Sequence, residues 1–373
     1  MAEKKSLPFI LHVDDQPDTL RAWQEQAKRT KKVRLEVKHP QDVLDEDVLN
    51  ATVILVDVKL DQWQERDSVK VIGLKPTNGL ALLTILQERA LELTPDQPRA
   101  FALYTGALDE VARGLVPRPH IIARAHNLEW VFDKNDGDDR ARLDQLAQLA
   151  GAVLALPNPW PQESPEGARK ALSKWLSLPT DDTGYDWLWQ SVLECRPPLH
   201  EFAWHTHGIG VLRWMLHKIL PYPCFLLDDA HLAARLRVQP VSLQHELETN
   251  RKLAKLLKPA LYSGQLSGLL GRRWWRSVVE SIVFNLNPLE PGNLELLHGR
   301  LKAAAPNLAL FEGSFAFPVL DAQYRLKSVL AGEGDVIEVV PDDWPPFANT
   351  AWALRSDVAS EPKLQAIVVP GEL

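Results

Sequence analysis

The chain has 373 residues, a length that predicts two or three domains rather than one core. Its composition, 45% hydrophobic and 24% charged, is typical of a globular protein, and the net charge of −7 argues against general attraction to nucleic acid or anionic membranes. Two cysteines exclude a disulfide framework, and the absence of a long apolar run or a signal-peptide pattern predicts a cytoplasmic protein without a membrane span.

Short apolar runs alternate with helical patterns over the first 155 residues. The runs predict strands at 8–13, 33–37, 51–58, 99–105 and 130–134. The segments between and after them predict helices at 19–30, 41–49, 78–93, 108–115 and 138–156. Alternation of this kind is typical of βαβ units, so we expect an α/β domain with a parallel five-stranded sheet covered by helices on both faces.

The alternation of strand and helix patterns ends after residue 155. Four prolines in the segment 156–167 predict a linker. Beyond it, tryptophan-rich helical patterns predict a mainly α-helical output or interaction domain over 168–312. The remainder, 313–373, is interrupted by prolines and predicts an irregular tail with short strands that packs on the helical domain. The first domain is accordingly expected to span 1–155.

Polar side chains stand at the carboxyl ends of four predicted strands. They are Asp14, Asp15, Asp57, Thr105 and Lys134. If the strand order is 2-1-3-4-5, they converge at the edge where doubly wound sheets bind ligands. Clustered carboxylates predict a Mg²⁺ site, and Asp57 at its centre is placed to act as a nucleophile toward a phosphoryl group. Lys134 and Thr105 would contact the phosphoryl oxygens.

The segments ILHVDDQ, VILVDVKL, ALYTG and VFDK resemble, in this order and at similar intervals, the receiver domain of two-component response regulators. The resemblance covers about residues 7–150 and implies a flavodoxin-like fold. It also implies Mg²⁺-dependent transfer of a phosphoryl group to Asp57 from a histidine kinase or a phosphotransfer protein. The implied metal ligands are Asp14, Asp15, Asp57 and the backbone carbonyl of Lys59, and the implied phosphoryl contacts are Thr105 and Lys134.

The chain departs from the family pattern around this site. A charged segment at 61–77 is inserted after the phosphoacceptor, and a second one at 117–127 lengthens the connection to the fifth strand. Val131 stands at the usual aromatic switch position, with Phe132 beside it, and Asn135 replaces the usual proline. We therefore expect the phosphoryl chemistry to be retained and the switch face around Val131 and Phe132 to be altered.

Residues 228–247 resemble a helix-turn-helix with RVQP as its turn. In such motifs the first residues of the second helix read bases in the major groove, which here would be Ser242, Gln244 and His245. Against this interpretation, Arg237 replaces the small turn residue, and Glu246 and Glu248 would face phosphate.

Two interpretations of the output therefore remain. The preferred one is a helical region that contacts a protein effector or a second copy of the chain, or a phosphoryl buffer in a bacterial defence or stress pathway. The alternative is a phosphorylation-regulated, DNA-binding transcription regulator. No nucleotide-binding loop, nucleophile elbow, kinase or cyclase signature is present, so no enzymatic output beyond receiver-type chemistry is predicted.

Overall fold

The chain forms two compact units. The computed structural model describes residues 7–63, 76, 78–94, 96–161, 163–178, 185–199 and 207–371. The first unit comprises Met1–Ser177, Pro197–His217 and Gly264–Leu269, and the second comprises Leu178–Arg196, Lys218–Ser263 and Leu270–Leu373. The chain therefore begins in the first unit, passes to the second, and returns twice to the first before it ends in the second. None of the helices in the described ranges is long and apolar enough to span a membrane.

A five-stranded parallel sheet forms the centre of the first unit. Its strands are β1 (Phe9–Val13), β2 (Arg34–Lys38), β3 (Val53–Asp57), β4 (Ala100–Thr105) and β5 (Trp130–Asp133). Their order is β2-β1-β3-β4-β5, and all neighbouring pairs are parallel. The predicted fold class and strand order are confirmed. The strands β1 and β3 are buried along their whole length because helices cover both faces of such a sheet, which explains their apolar sequences, whereas the edge strand β2 (RLEVK) is partly accessible.

Six helices belong to this α/β arrangement. They are α1 (Arg21–Thr30), α2 (Asp45–Asn50), α3 (Gly79–Leu93), α4 (Leu108–Ala112), α5 (Pro119–Ala125) and α6 (Asp139–Leu154). The side chains of Asn78 and Asp138 accept hydrogen bonds from the N–H groups of Ala81 and Ala141, and thereby cap α3 and α6. Helix α5 occupies the segment 117–127, for which no helix was predicted.

The segment predicted as a linker does not stand apart from the first unit. Trp160 is buried, and helix α7 (Pro165–Trp175) begins inside the segment with the side chain of Ser164 as its cap. The next helices are α8 (Tyr185–Glu194), which belongs to the second unit, and α9 (Ile209–Trp214), which belongs to the first. The boundaries of the compact units thus differ from the predicted domain boundaries.

The second unit combines helices with two small sheets. Its middle part contains β6 (Leu226–Leu227), α10 (Asp229–Leu236), α11 (Pro240–Thr249), α12 (Arg251–Leu257), β7 (Trp274–Trp275), α13 (Arg276–Leu286) and α14 (Leu294–Ala304). The last part contains β8 (Phe317–Leu320), β9 (Leu326–Ala331), β10 (Val336–Val339), β11 (Ala351–Leu354), α15 (Arg355–Ser360) and α16 (Pro362–Gln365). The helices outnumber the strands, as predicted for this region.

The segment predicted as an irregular tail forms a four-stranded mixed sheet. Its order is β10-β11-β8-β9, with β11 and β8 parallel and the other pairs antiparallel. Ala316 and Leu330 belong to the same buried cluster as the leucines of α10 to α14. The strand expected at 365–369 is absent, because α16 runs to Gln365 and Val368 makes only an isolated bridge to Val339.

Candidate functional site

Asp57 ends β3 at the carboxyl edge of the parallel sheet. The four strand residues before it are completely buried, which fixes the position of its backbone. The Nζ atom of Lys134, directly after β5, donates a hydrogen bond of 2.9 Å to Asp57 Oδ2. Burial raises the pKa of the Asp57 carboxyl group, and the positive charge of Lys134 opposes this rise. The structure therefore brings together two side chains that are 77 residues apart in the sequence.

Two further carboxylates lie beside Asp57, at the end of β1. Asp14 Oδ1 accepts a hydrogen bond of 2.7 Å from the N–H of Gln16, and Asp15 Oδ2 accepts one of 2.6 Å from the N–H of Gln62. Burial raises the pKa of Asp14, and the negative charges of Asp57 and Asp15 raise it further against the opposing hydrogen bond from Gln16. The three carboxylates thus form a negative cluster at one edge.

Thr105 ends β4 at the same edge. In the strand register Asp57 is opposite Tyr104, so Thr105 lies one residue beyond the position of Asp57. Its side chain is buried, and its Oγ1 accepts a hydrogen bond of 3.0 Å from the N–H of Ala107. The N–H of Lys134 donates to the Thr105 carbonyl at 2.7 Å, which holds the ends of β4 and β5 together.

Arg142 on α6 orders the loop that follows Lys134. Its Nη1 donates hydrogen bonds to the carbonyl oxygens of Lys134, Asp136 and Gly137 at 2.9, 3.1 and 2.9 Å. Its Nη2 donates to Asp139 Oδ1. Nothing in the sequence distinguishes Arg142 from a surface residue, because an arginine on an amphipathic helix usually extends into solvent. Only the fold reveals that Arg142 positions the lysine.

An aromatic cluster lies next to the lysine and the carboxylates. The rings of Tyr104 and Trp23 stack with centroids 5.1 Å apart, and Lys134 Nζ lies 4.8 Å from the Tyr104 centroid. His12 packs edge-on against both rings. Burial, with a smaller effect of Lys134, lowers the pKa of His12 to about 3, so this imidazole is neutral at pH 7. The cluster therefore adds no second cation next to Asp57.

Gly79 packs directly on the backbone of Asp57. A Cβ atom at position 79 would lie 1.9 Å from the carbonyl oxygen of Asp57 and 2.9 Å from the Cα of Val58. The N–H of Gly79 donates a hydrogen bond of 2.9 Å to the Val58 carbonyl. Only glycine fits this first position of α3, because any side chain would displace the end of β3.

Lys59 lies two residues after Asp57, and its side chain contacts helix α4. The Nζ of Lys59 forms an ion pair of 3.1 Å with Glu110 Oε1 on α4, and the role of the Lys59 carbonyl stays a prediction. Most of the inserted segment 61–77 lies outside the described residues. At its beginning, the hydrogen bond from Gln62 to Asp15 ties the inserted loop to the carboxylate cluster.

The residues predicted to form the switch face lie in the core. Val131 and Phe132 on β5 are 0% and 2% exposed. Neither side chain is available at the surface in this conformation, because both faces of the sheet are covered. A switch acting through these positions would have to move core side chains, and their role stays a prediction.

The donor set at this edge is compatible with a magnesium ion. No group of three or more histidine, cysteine or acidic side chains in the described residues is already arranged as a ligand set. Proteins usually hold Mg²⁺ through one or two carboxylates, with waters completing the octahedron. Asp14 and Asp57 meet this requirement, since both are buried and each is destabilised by negative charge that a divalent cation would neutralise.

The helix-turn-helix pattern forms two helices, α10 and α11, separated by a short turn. Ser242 Oγ accepts a hydrogen bond of 2.8 Å from the N–H of Ala309, so this hydroxyl already binds the chain itself. Gln244 and His245 are exposed on α11, together with Glu248. The exposed face is therefore not basic, and DNA reading by these residues stays a prediction.

Comparison with known proteins adds little to this description. No protein-family model and no curated protein matches the chain. Among solved structures, it is similar to a CheY-like response regulator receiver domain protein from Methanospirillum hungatei JF-1. The identity is 17%, the match covers 40% of this chain and 98% of that chain, and the TM-score is 0.25. A similarity this low supports no conclusion about activity.

Proposed function

We propose that the first unit is a phosphoacceptor domain of the response-regulator type, with Asp57 as the residue that is phosphorylated. The ion pair between Asp57 and Lys134, at the carboxyl edge of a 2-1-3-4-5 sheet, is the observation that carries the proposal. The position matters because ligand sites of doubly wound sheets lie at this edge. The phosphodonor would be a phosphohistidine of a histidine kinase or a phosphotransfer protein.

In the proposed reaction a carboxylate oxygen of Asp57 attacks the phosphorus atom. The new O–P bond forms as the P–N bond of the donor breaks, and the electron pair remains on the imidazole nitrogen, which takes up a proton. Lys134 neutralises one phosphoryl oxygen, and the Thr105 hydroxyl donates a hydrogen bond to another. Mg²⁺, when held by Asp14, Asp15, Asp57 and the Lys59 carbonyl, would supply positive charge to the transferring group.

The product carries more negative charge than the resting site. A phosphoryl group adds about −1.5 to −2 charges and three acceptor oxygens at neutral pH. Lys134 already contacts the carboxylate at 2.9 Å, and Thr105 Oγ1 accepts a hydrogen bond from Ala107 while its own proton can still be donated, so we expect both side chains to shift toward the new oxygens. This rearrangement at the ends of β4 and β5 is the proposed signal to an effector protein or a second copy of the chain.

The proposal predicts that the protein incubated with Mg²⁺ and acetyl phosphate gains the mass of one phosphoryl group. The modification should be lost on treatment with hydroxylamine, as expected for an acyl phosphate. Asp57→Asn should abolish it, and Lys134→Ala should slow it strongly. Asp109→Asn removes an exposed carboxylate of α4 and serves as the matched control, which should behave like the original chain. Intact mass spectrometry measures all four proteins.

Two results would overturn the assignment. One is a modification that persists unchanged in Asp57→Asn, which would place the phosphoryl group elsewhere. The other is a folded protein that gains no phosphoryl group from either acetyl phosphate or phosphoramidate in the presence of Mg²⁺. This result would mean that the residues at this edge of the sheet do not support phosphoryl transfer.

A further inference from the structure

A cavity of about 430 Å³ opens in the second unit between the C-terminal end of α10 and the strands β8 and β11. Its lining includes the residues that we call the arginine–aromatic groove, namely Arg235, Arg237, Phe315, Phe317, Asn349 and Trp352. The size lies within the range of small-molecule sites, which is about 300–1,000 Å³. None of the lining residues is acidic, although the chain has 49 acidic and 42 basic residues.

One wall of the groove consists of aromatic rings. Phe317 and Trp352 contact each other with ring centroids 4.8 Å apart, and the ring of Phe315 lies 6.5 Å from that of Phe317. Phe315 is 51% exposed, which leaves much of its ring open to water. An exposed aromatic platform of this kind stacks well against planar bases.

The other wall carries two guanidinium groups that are poorly balanced by negative charge. Arg237 makes no ion pair with any carboxylate in the described part of the chain, and it lies with its Cζ 5.9 Å from the Phe315 centroid. Arg235 is 3.8 Å from Glu280, a carboxylate that Arg276 holds more closely at 3.0 Å. An anion in the groove would therefore supply the missing counter-charge.

The partial burial of Arg237 strengthens that reasoning, whereas the side chain of Arg235 is 41% exposed. Burial lowers the pKa of Arg237, and the positive charge of Arg235 lowers it further. Burial also lowers the pKa of Arg235, followed by the charge of Arg276. Partly desolvated cations of like charge are costly unless an anion pairs with them.

The backbone at Arg237 is strained as well. Its φ angle is +55°, in the left-handed region that favours glycine, and yet the chain places an arginine there. The Arg237 carbonyl oxygen accepts hydrogen bonds from the N–H of Phe311 and from His298 Nε2. The Nη1 atom of Arg237 donates one of 2.8 Å to the Ala234 carbonyl at the end of α10, which is a neutral partner and leaves the charge of the guanidinium without a counter-ion in the described part of the chain. Strained residues of this kind often occur at binding sites.

We propose that the arginine–aromatic groove binds a nucleotide unit, with its base stacked on the aromatic wall and its phosphate paired with Arg235 and Arg237. Phosphate alone would account for the arginines but not for the three rings, and an uncharged aromatic ligand would leave the arginines unpaired. The unit comes either from a free nucleotide or from single-stranded nucleic acid, since both present a base next to a phosphate. This site is separate from the proposed phosphoacceptor and does not depend on it.

The test uses the full chain and two probes. Binding of a fluorescein-labelled oligothymidylate of about ten nucleotides is followed by anisotropy, and binding of AMP by calorimetry. For each probe that binds the original chain, Phe315→Ala should lower the affinity by about tenfold or more, because stacking on an aromatic ring contributes that much per base. Phe284→Ala is the matched control, because Phe284 is also 51% exposed in the same unit but lies outside the groove.

A second pair of variants tests the charge. Arg237→Gly removes the guanidinium and suits the positive φ, so it should fold and yet bind about tenfold more weakly or worse. Arg251→Ala removes an exposed arginine of α12 and should bind like the original chain. For the oligonucleotide, Arg237→Gly should also reduce the slope of log K against log salt by about 0.7.

Each outcome has a definite meaning. Groove-dependent binding of the oligonucleotide alone supports single-stranded nucleic acid as the source, and groove-dependent binding of AMP supports a free nucleotide. The proposal is wrong if neither probe binds at about millimolar concentration, or if Phe315→Ala and Arg237→Gly bind no more weakly than their controls.

Discussion

Asp57 owes its place to residues that are far from it in the sequence. The buried residues of β3 place the carboxylate at the sheet edge, Lys134 compensates its charge, and Arg142 holds the loop that carries the lysine. Gly79 allows α3 to begin in direct contact with the strand. At this scale the site depends on close packing as much as on its ionisable groups.

Gly79→Ala should destabilise the protein and impair phosphorylation together. Its Cβ would overlap the Asp57 carbonyl oxygen, so the strand or the helix must shift, at a cost of about 1–3 kcal/mol or more in the free energy of unfolding. Gly151→Ala is the control in α6, where a Cβ meets nothing within 4 Å. It should stabilise by about 0.5–1 kcal/mol. Urea denaturation measures both, and equal effects would refute the packing interpretation.

The beginning of β5 is joined to α9 through buried polar groups. Arg213 Nε donates to Glu129 Oε1 at 2.7 Å, and Glu129 Oε2 accepts a hydrogen bond from the N–H of Phe101. His217 Nε2 donates to the Glu129 carbonyl at 2.9 Å. These contacts lie within the first unit and explain why the segment 197–217 belongs to it.

This arrangement predicts a stability that depends on pH through His217. Burial lowers the pKa of His217 to about 4. The charges of Arg213, His120 and Arg124 also lower this pKa, whereas the hydrogen bond to the Glu129 carbonyl raises it. Because the His217 imidazole binds a proton more tightly in the unfolded chain than in the folded one, its contribution to the free energy of unfolding is fully present above about pH 6.5. It is lost as the pH falls toward 4, by about 3 kcal/mol.

His217→Gln should remove that loss, since its amide can still donate to the Glu129 carbonyl but does not titrate. The difference in unfolding free energy between the original chain and the variant should therefore change by about 3 kcal/mol between pH 6.5 and 4. Burial raises the pKa of Glu129, which works in the opposite direction, but that effect is present in both proteins and cancels. A constant difference across this range would contradict the prediction.

At the scale of the whole molecule, charge bears on the DNA-binding alternative. The chain carries a net charge of −7, and the exposed face of α11 presents Gln244, His245 and Glu248 without a lysine or arginine. The helices α10 and α11 form as the pattern predicts, but packing residues such as Leu236, Val238 and Leu243 are equally satisfied in a purely structural helix pair.

We therefore expect duplex DNA to bind weakly, without the steep salt dependence of a protein that neutralises many phosphates. Gln244→Ala should leave any residual duplex affinity unchanged. Anisotropy with a labelled duplex between about 50 and 200 mM salt measures both quantities. Tight, salt-sensitive binding that Gln244→Ala weakens would restore the alternative.

The amino-acid sequence by itself located the five strands and the polar residues at their carboxyl ends, and the resemblance to receiver domains implied the strand order that the structure shows. This was possible because buried parallel strands need continuous apolar runs, and because strand ends in such a sheet share one edge. Helical patterns in the sequence also located α3 and α6, which the side chains of Asn78 and Asp138 cap in the structure.

The tertiary structure alone decided the remaining features. The parallel pairing of β11 with β8 and the return of the chain to the first unit depend on segments separated in the sequence by other elements, which no local pattern encodes. The same holds for Arg142 and Gly79, and for the arginine–aromatic groove, whose residues come from three separate segments, 235–237, 315–317 and 349–352. Such residues gain their roles from long-range packing, which exists only once the chain has folded.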